Sequence, residues 1–359
     1  MEQPPGFIDA RFPNNVCCSL YGLKQAPRAW FYRLSTLLTR LGFVCSRSDL
    51  SLFVFKRGSC IMYLLVYVDD IILTGNVSST IHQFISRIHR EFPIKDLGKL
   101  SYFIGLEVLY TESGLFLSQS RYAEDILTRA GLLYSKPVAT PLETSENFTS
   151  HCPLYLTITR PNLSYVFNQV SQFFHAPTRD HFQAVKRIIR YVKGTMTYGL
   201  KFLLSPSSTL LGYSDANWAR CIETCRSTSG YSIFHGENLV SRSAKKQPTV
   251  SRSSGESEYR ALANTAAGII WITHLLRELH VLPPDRPTIL RDNKSALFLS
   301  QNSVSNKRSK HIDIDYHFIR ELISSRKLYA KFVPTNLQLA DIFTKSLPLP
   351  NNTVIDTFS

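Results

Sequence analysis

The 359 residues include 41 lysines and arginines against 27 aspartates and glutamates, a formal net charge of +14, and 44% of them are hydrophobic. That apolar fraction excludes a disordered chain, the length allows two or three domains with a sizeable core, and the one-sided charge points to a polyanion, most simply nucleic acid. The seven cysteines are odd in number and scattered; Cys221 and Cys225 lie close, but no second pair or histidine stands at zinc-finger spacing, so all seven read as reduced thiols. "MEQPPGFIDARF" lacks the basic-then-apolar pattern of a signal sequence, and no apolar run reaches membrane length because Asp69 and Asp70 interrupt the best candidate.

In chain order, "APRAWFYRLSTLLTRLGF" predicts a helix with Trp30, Leu34, Leu37, Leu38 and Leu41 on one stripe. Leu52–Phe55 and Ile61–Val68 predict strands around a turn at Lys56–Ser59, and Ile71–Leu73 continues the hairpin. Asp69 and Asp70 fall inside "YLLVYVDDIILTGN", where unpaired buried charge is costly and a bound cation is the cheapest way to keep both ionised. "STIHQFISRIHREF" predicts an amphipathic helix capped by Ser79. "LSYFIGLEVLY" and "GLFLSQS" predict a strand pair turning at Thr111–Gly114, and Pro137–Pro153 reads as a linker. Helices follow at Pro161–Phe174 and Asp180–Lys193. In the second, Phe182, Val185, Ile188, Ile189 and Val192 share a face, with Lys186, Arg187, Arg190 and Lys193 largely off it and Gly194 as its stop. The basic side reads equally as a phosphate grip or as an ordinary solvated face.

From Leu210 the predicted order is β-β-β-α-β-α-α-β-α: "LLGYSDANW", a hairpin turning at Gly236–Asn238, a long helix from "SSGESEYRAL", "PTILRDN", a helix at Lys294–Gln301, a helix in "HIDIDYHFIRELISSR", "LYAKFV", and a last helix in "NLQLADIFTKSL". Asp215 sits mid-strand, Glu258 in the first turns of the long helix, Asp292 at a strand end, and Asp341 at the opening of the last helix. A mixed sheet of this order can bring the four together, and their repulsion calls for a divalent cation. Mg²⁺ suits an all-oxygen set, and two ions roughly 4 Å apart can serve phosphodiester hydrolysis. Geometry alone leaves Glu256 and Glu258 open. Ser253-x-x-Glu256 matches a capping box, which gives Glu256 a local task and favours Glu258 as ligand.

The strings "LYGLKQAPRAW", "YVDDIILTG", "TRPNLSYV", "AVKRIIRYVKGT", "GYSDANWA", "RSTSGY", "TVSRSSGESEYRALA", "RDNKSAL", "KHIDIDYHFIRE" and "LADIFTK" together resemble the Pol polyprotein of copia-type LTR retrotransposons, from the C-terminal part of the reverse transcriptase through the ribonuclease H. The fold class so implied is α+β/α/β: a partial reverse-transcriptase palm and thumb (1–140), a linker with connecting helices (141–205), a ribonuclease H-like mixed five-stranded sheet with flanking helices (206–350) and a tail (351–359). The resemblance implies that Asp69 and Asp70 hold Mg²⁺ for nucleotide addition, and that Lys24, Gln25 and Pro27 lie by the nucleotide and template pocket. It implies that Asp215, Glu258, Asp292 and Asp341 form the quartet that cuts the RNA strand of an RNA–DNA hybrid, with two Mg²⁺ per active site and Mn²⁺ as an alternative. Phosphate contacts are assigned to Lys186, Arg187, Lys245, Lys246, Lys307 and Arg308, and His311 reads as a packed or capping residue.

The implied partners are the hybrid, an RNA template with its DNA primer, and other Pol or capsid proteins of a virus-like particle. The implied location is the cytoplasm and the nucleus, without a membrane. A third polymerase carboxylate belongs to a strand upstream of the stretch matched by Asp9, so the expectation is an incomplete, inactive polymerase joined to a working nuclease. Arg242 stands where the family usually has Trp, and Cys225 near an expected Arg. The stretches Val16–Leu20 and "SENFTSHCPLYLTITRP" are shorter than the family's. Such departures support the alternative of a non-catalytic nucleic-acid-binding remnant or decayed product.

Overall fold

The computed structural model describes residues 26–141, 154–294 and 313–345, apart from residues 69, 93, 174, 175, 177, 205, 206 and 222. Two compact units emerge. One runs through Gly98 and takes in Arg277–Val281; the other takes Lys99–Leu276 and the chain from Leu282 on.

In the first unit, α1 (Ala26–Arg40) buries Leu34, Leu37 and Leu38, the stripe its spacing predicts. They pack on an antiparallel sheet of β1 (Val44–Cys45), β2 (Leu52–Arg57), β3 (Cys60–Tyr67) and β4 (Asp70–Gly75), whose Phe53, Met62, Leu64 and Val66 share the same cluster. Helix α2 (Ser78–Glu91) adds Phe84 and Ile88. Its cap is Val77, without a side-chain bond, rather than Ser79. The helix starts one residue before Ser79, so Ser79 already has helical backbone and cannot serve as the half-in residue that caps.

The second unit opens with β5 (Tyr102–Phe103), β6 (Leu106–Thr111) and β7 (Gly114–Ser118), joined in one antiparallel sheet by β8 (Leu200–Leu203) from the far side of the helical segment. The single strand predicted in "LSYFIGLEVLY" is broken because Ile104 and Gly105 both take positive φ, 48° and 70°. Helices α3 (Ser120–Arg129), α4 (Ser164–Ser171) and α5 (Arg179–Gly194) build a core with Leu127, Phe167, Val185, Ile188, Ile189 and Val192. Phe182, predicted on that face, is 52% exposed; its ring instead lies 4.6 Å from the Lys186 ammonium. Gly194 is the last helical residue and Thr195 the cap. Much of the basic side of α5 is a clamp: Arg190 donates to the Lys136 carbonyl (2.7 Å), Lys193 to that of Ser135 (2.6 Å) and Arg187 to Thr140 Oγ1 (2.9 Å).

The other sheet of this unit has the order β11-β10-β9-β12-β13, from β9 (Leu210–Asn217), β10 (Thr228–His235), β11 (Asn238–Lys246), β12 (Thr288–Arg291) and β13 (Tyr329–Phe332). The first three are an antiparallel meander, while β12 runs parallel to both β9 and β13. The two faces follow the strand period of two. Leu210 and Ile233 turn to α6 (Ser254–Glu278), joined by Ile289, Ile319 and Leu322, whereas Phe234 turns to Ile342 and Phe343. Tyr259 stacks on Tyr316 of the helix Asp313–Ser324, ring centroids 4.2 Å apart. The helix read at Lys294–Gln301 lies outside the described residues beyond its first position. Arg242, in the position where Trp was expected, is half-buried and donates to the carbonyls of Thr157 and Ile158; loss of solvent lowers its guanidinium to about 10. No described helix is long and apolar enough to cross a membrane.

The last segment, predicted as one helix, forms two 3₁₀ turns, Thr335–Leu337 and Leu339–Phe343. Gln338 separates them in extended backbone, donating to the Ser214 carbonyl (3.1 Å) and accepting from the Ala340 N–H (3.2 Å). Fastening onto β9 thus replaces helix propagation. Gly230 makes room for this approach: a Cβ there would stand 2.6 Å from Phe343 Cβ and 2.8 Å from Thr344 Cγ2. Gly230→Ala is expected to cost roughly 1–3 kcal/mol, the usual range for overpacking. Urea unfolding checks this, and an unchanged midpoint would show that the turn is not tightly seated.

Candidate active site

The sheet decides where four carboxylates fall. Asp215 lies in β9, paired across to Gly230, on the face covered by the final turns, and is 2% exposed. Glu258 projects from the second turn of α6 and accepts from the Ala216 N–H. Asp292 directly follows β12, which is hydrogen-bonded beside β9, and accepts from Thr335 Oγ1 at 3.0 Å. Carboxylate oxygens of Asp215, Glu258 and Asp292 all lie within 4.8 Å of one another. Asp341, in the last 3₁₀ turn, joins through Lys345, whose ammonium is 2.8 Å from Asp341 Oδ1 and 3.7 Å from Asp215 Oδ2. Thr344 Oγ1 also donates to Asp215 Oδ2, and Asn217 Nδ2 to the Thr344 carbonyl at 3.1 Å.

Glu256 is occupied elsewhere. Its N–H donates to Ser253 Oγ (3.2 Å), its Oε2 accepts from the Arg252 N–H (2.7 Å), and its Oε1 pairs with Arg260 (2.7 Å). Those bonds satisfy the helix start, so Glu258 is the glutamate that joins the cluster.

Burial, followed by the charges of Asp215 and Asp292, raises the Glu258 carboxyl to about 8; Arg291 and the Ala216 N–H oppose the shift without cancelling it. Burial and then Asp215 raise Asp341 to about 6 against Lys345. Glu258 and Asp341, taken out of water beside other carboxylates, resist ionising, and a cation among them relieves that resistance. Arg291 supplies part of this relief. Its side chain is fully buried, 2.9 Å from Glu258 Oε2, while its Nε and Nη1 have no hydrogen-bond partner among the described residues. An all-oxygen set of this spacing fits a hard divalent cation such as Mg²⁺.

Sequence reasoning missed Arg291, Thr335, Gln338, Thr344 and Lys345. An arginine ending an otherwise apolar strand, next to an aspartate, was a usable sign for Arg291; a lysine four residues after Asp341 was one for Lys345. Asp70 is exposed at the start of β4, and Pro27 is exposed in α1. Lys186 and Arg187 sit on α5, and Lys245 is exposed near the end of β11. Lys246 is engaged by Gln172 Oε1 and Cys221 Sγ, both at 2.9 Å. Lys24, Gln25, Asp69, Lys307, Arg308 and His311 lie outside the described residues.

The carboxylates thus cluster on a mixed five-stranded sheet, the arrangement that the ribonuclease H resemblance implies. Residues 1–144 match the family described as reverse transcriptase (RNA-dependent DNA polymerase). The chain is 44% identical over 366 residues to the retrovirus-related Pol polyprotein from transposon RE1 of Arabidopsis thaliana, covering 97% of this chain and 25% of that protein. It is 46% identical over 225 residues to the uncharacterized mitochondrial protein AtMg00810 of the same plant, covering 58% of this chain and 94% of that protein. A solved structure of foamy viral protease-reverse transcriptase in complex with an RNA/DNA hybrid aligns at 13% identity and a TM-score of 0.43, covering 92% of this chain and 40% of that one. The chain therefore belongs to the Pol polyprotein family of copia-type retrotransposons. It spans about a quarter of the length of the Pol polyproteins it matches.

Proposed function

We propose that this chain hydrolyses the RNA strand of RNA–DNA hybrids. The observation that carries the reading is the convergence of Asp215, Glu258 and Asp292 from a central strand, a helix and a neighbouring strand end to within 4.8 Å. These three, with Asp341, would hold Mg²⁺, two ions in the fullest form, with Mn²⁺ as a substitute. A divalent metal bound there supplies an activated water and stabilises the leaving oxygen. The chain's own contribution is to hold the carboxylates in place: Arg291 behind Glu258, Thr335 behind Asp292, and Thr344 with Lys345 between Asp215 and Asp341. Phosphate contacts fall to the basic residues, Lys245 being the most exposed of the described candidates beside this sheet. A hybrid's groove shape and the 2′-hydroxyls of one strand would select it, and affinity would fall steeply with salt. The hybrid, a virus-like particle and a cytoplasmic or nuclear location belong to this proposal together.

The test is a labelled hybrid incubated with the chain and Mg²⁺. Asp292→Asn is expected to lower cleavage by more than about a hundredfold, since even partners standing behind metal ligands cost 10–100-fold. Cleavage by wild type no faster than by this variant would end the proposal. The placement of Lys345 between Asp215 and Asp341 favours a second reading, a nucleic-acid-binding module without metal. Calorimetry separates the two: that module shows no Mg²⁺ uptake lost on Asp215→Asn. The polymerase pair enters neither reading, because Asp69 lies outside the described residues and Asp70 by itself is an exposed carboxylate at the start of β4.

A further inference from the structure

Two cysteines lie on the same sheet unit in the connection between β9 and β10, apart from the carboxylates. Cys221 is half-buried and Cys225 exposed, with neither in a disulfide. The Cys225 N–H donates to the Cys221 carbonyl at 2.7 Å, and the Cys221 N–H to the Arg226 carbonyl at 3.2 Å, which brings Cys225 and Arg226 back to Cys221. A bond from the N–H of residue i+4 to the C=O of residue i closes a 13-atom ring, which holds the two cysteines near each other although Cys225 takes a positive φ of 50°. At the other side of Cys221 stands Lys246, its ammonium 2.9 Å from Sγ and fixed in place by Gln172 Oε1, also at 2.9 Å. A basic side chain read from sequence as a phosphate contact is thereby turned onto a sulfur.

We propose that Cys221 is a reactive thiol and Cys225 its resolving partner, forming a reversible disulfide when the chain meets a peroxide. The chemistry follows from the neighbours. A thiolate, not a thiol, is the nucleophile, and an adjacent ammonium favours it. Burial pushes the Cys221 thiol up, but the hydrogen bonds from Lys246 and Thr224 and the Lys246 charge outweigh it, and the net direction is down. Attack of the Cys221 sulfur on hydrogen peroxide breaks the O–O bond and leaves a sulfenic acid with release of one water. Attack of the Cys225 sulfur on that sulfenic sulfur forms the S–S bond and releases a second water. The two thiols lose two electrons and two protons to one peroxide. The same step takes the sulfur partner from Lys246.

The test uses the full chain. Iodoacetamide at neutral pH, followed site by site by mass spectrometry, is expected to label Cys221 at least about tenfold faster than Cys60, the half-buried thiol at the start of β3. Lys246→Met should slow labelling of Cys221 about tenfold, because the adjacent ammonium that favours the thiolate is lost, and Lys246→Arg should keep most of it. Hydrogen peroxide should remove two hydrogens from the peptide that carries both cysteines. With Cys225→Ser, dimedone should trap the sulfenic acid on Cys221. Equal labelling of Cys221 and Cys60, an Lys246→Met rate matching wild type in a variant that still melts cooperatively, or peroxide linkage of Cys221 to another cysteine would each overturn the proposal.

Discussion

Arg291→Ala is expected, above pH 8 where Glu258 is ionised, to lower the free energy of unfolding by about 3–5 kcal/mol, the range for removing one partner of a buried ion pair. The guanidinium is fully buried and 2.9 Å from Glu258, itself 9% exposed in its side chain. Truncation leaves a cavity at the end of β12 and withdraws the cation paired with Glu258. Protonation of Glu258 would relieve the charge, since burial already holds its carboxyl near 8, but would not fill the space. Arg291→Met keeps most of the volume and should lose less than Arg291→Ala. Combining Arg291→Met with Glu258→Gln should recover stability, because no unpaired charge remains. Urea titration measures all three. A loss below about 1 kcal/mol for Arg291→Ala would mean that water, rather than packing and pairing, solvates this strand end.

The second large effect concerns pH and magnesium together. Without divalent metal, the folded chain is expected to lose stability as pH rises from about 4.5 to 8. Glu258 is held near 8 when folded, against an ordinary value of 4.5. Between those values the folded state binds the extra proton, so unfolding becomes easier with each step up in pH. At 1.36 kcal/mol per unit the upper limit is about 4–5 kcal/mol. Asp341, raised from 3.8 to about 6, acts with the same sign over a lower window. Magnesium should reverse the trend by favouring the ionised carboxylates. A concentration a hundred times the dissociation constant adds about 2.7 kcal/mol, and the gain should be larger at pH 8 than at pH 5.5. Calorimetric melts with Mg²⁺ and with a chelator, at both pH values, check this. A stability that stays flat with pH, or a magnesium gain equal at both, would show that the carboxylates are less crowded than their positions indicate.

Local chemistry accounts for much of what could be read in advance. The period-two strands β9 to β11, the apolar stripe of α1 and the capping role of Glu256 each depend on neighbours a few residues away. Their sequence signals survive folding intact. So does the choice of Glu258 over Glu256, because a capping bond is local. Where a nearby signal competed with a distant contact, the distant contact won. The segment after Pro334 has helical spacing but becomes two 3₁₀ turns because Gln338 spends its side chain on β9 and on Ala340. Lys246 has the charge of a phosphate contact, yet packing gives it to Cys221 and Gln172. Phe182 reads as core but is 52% exposed, with the Lys186 ammonium over its ring.

What the amino-acid order determined by itself was many of the elements and their sequence along the chain, though not β1, α3 or β8, and it marked Asp215, Glu258 and Asp292, which the fold brings together. Only the tertiary structure decided that β8 returns to the sheet of β5–β7, that Arg291 lies buried behind Glu258, and that Lys345 stands between Asp215 and Asp341. The reason is physical: hydrogen-bonded periodicity is written over a few residues, whereas the cost of burying a charge depends on which groups from distant parts of the chain arrive to meet it.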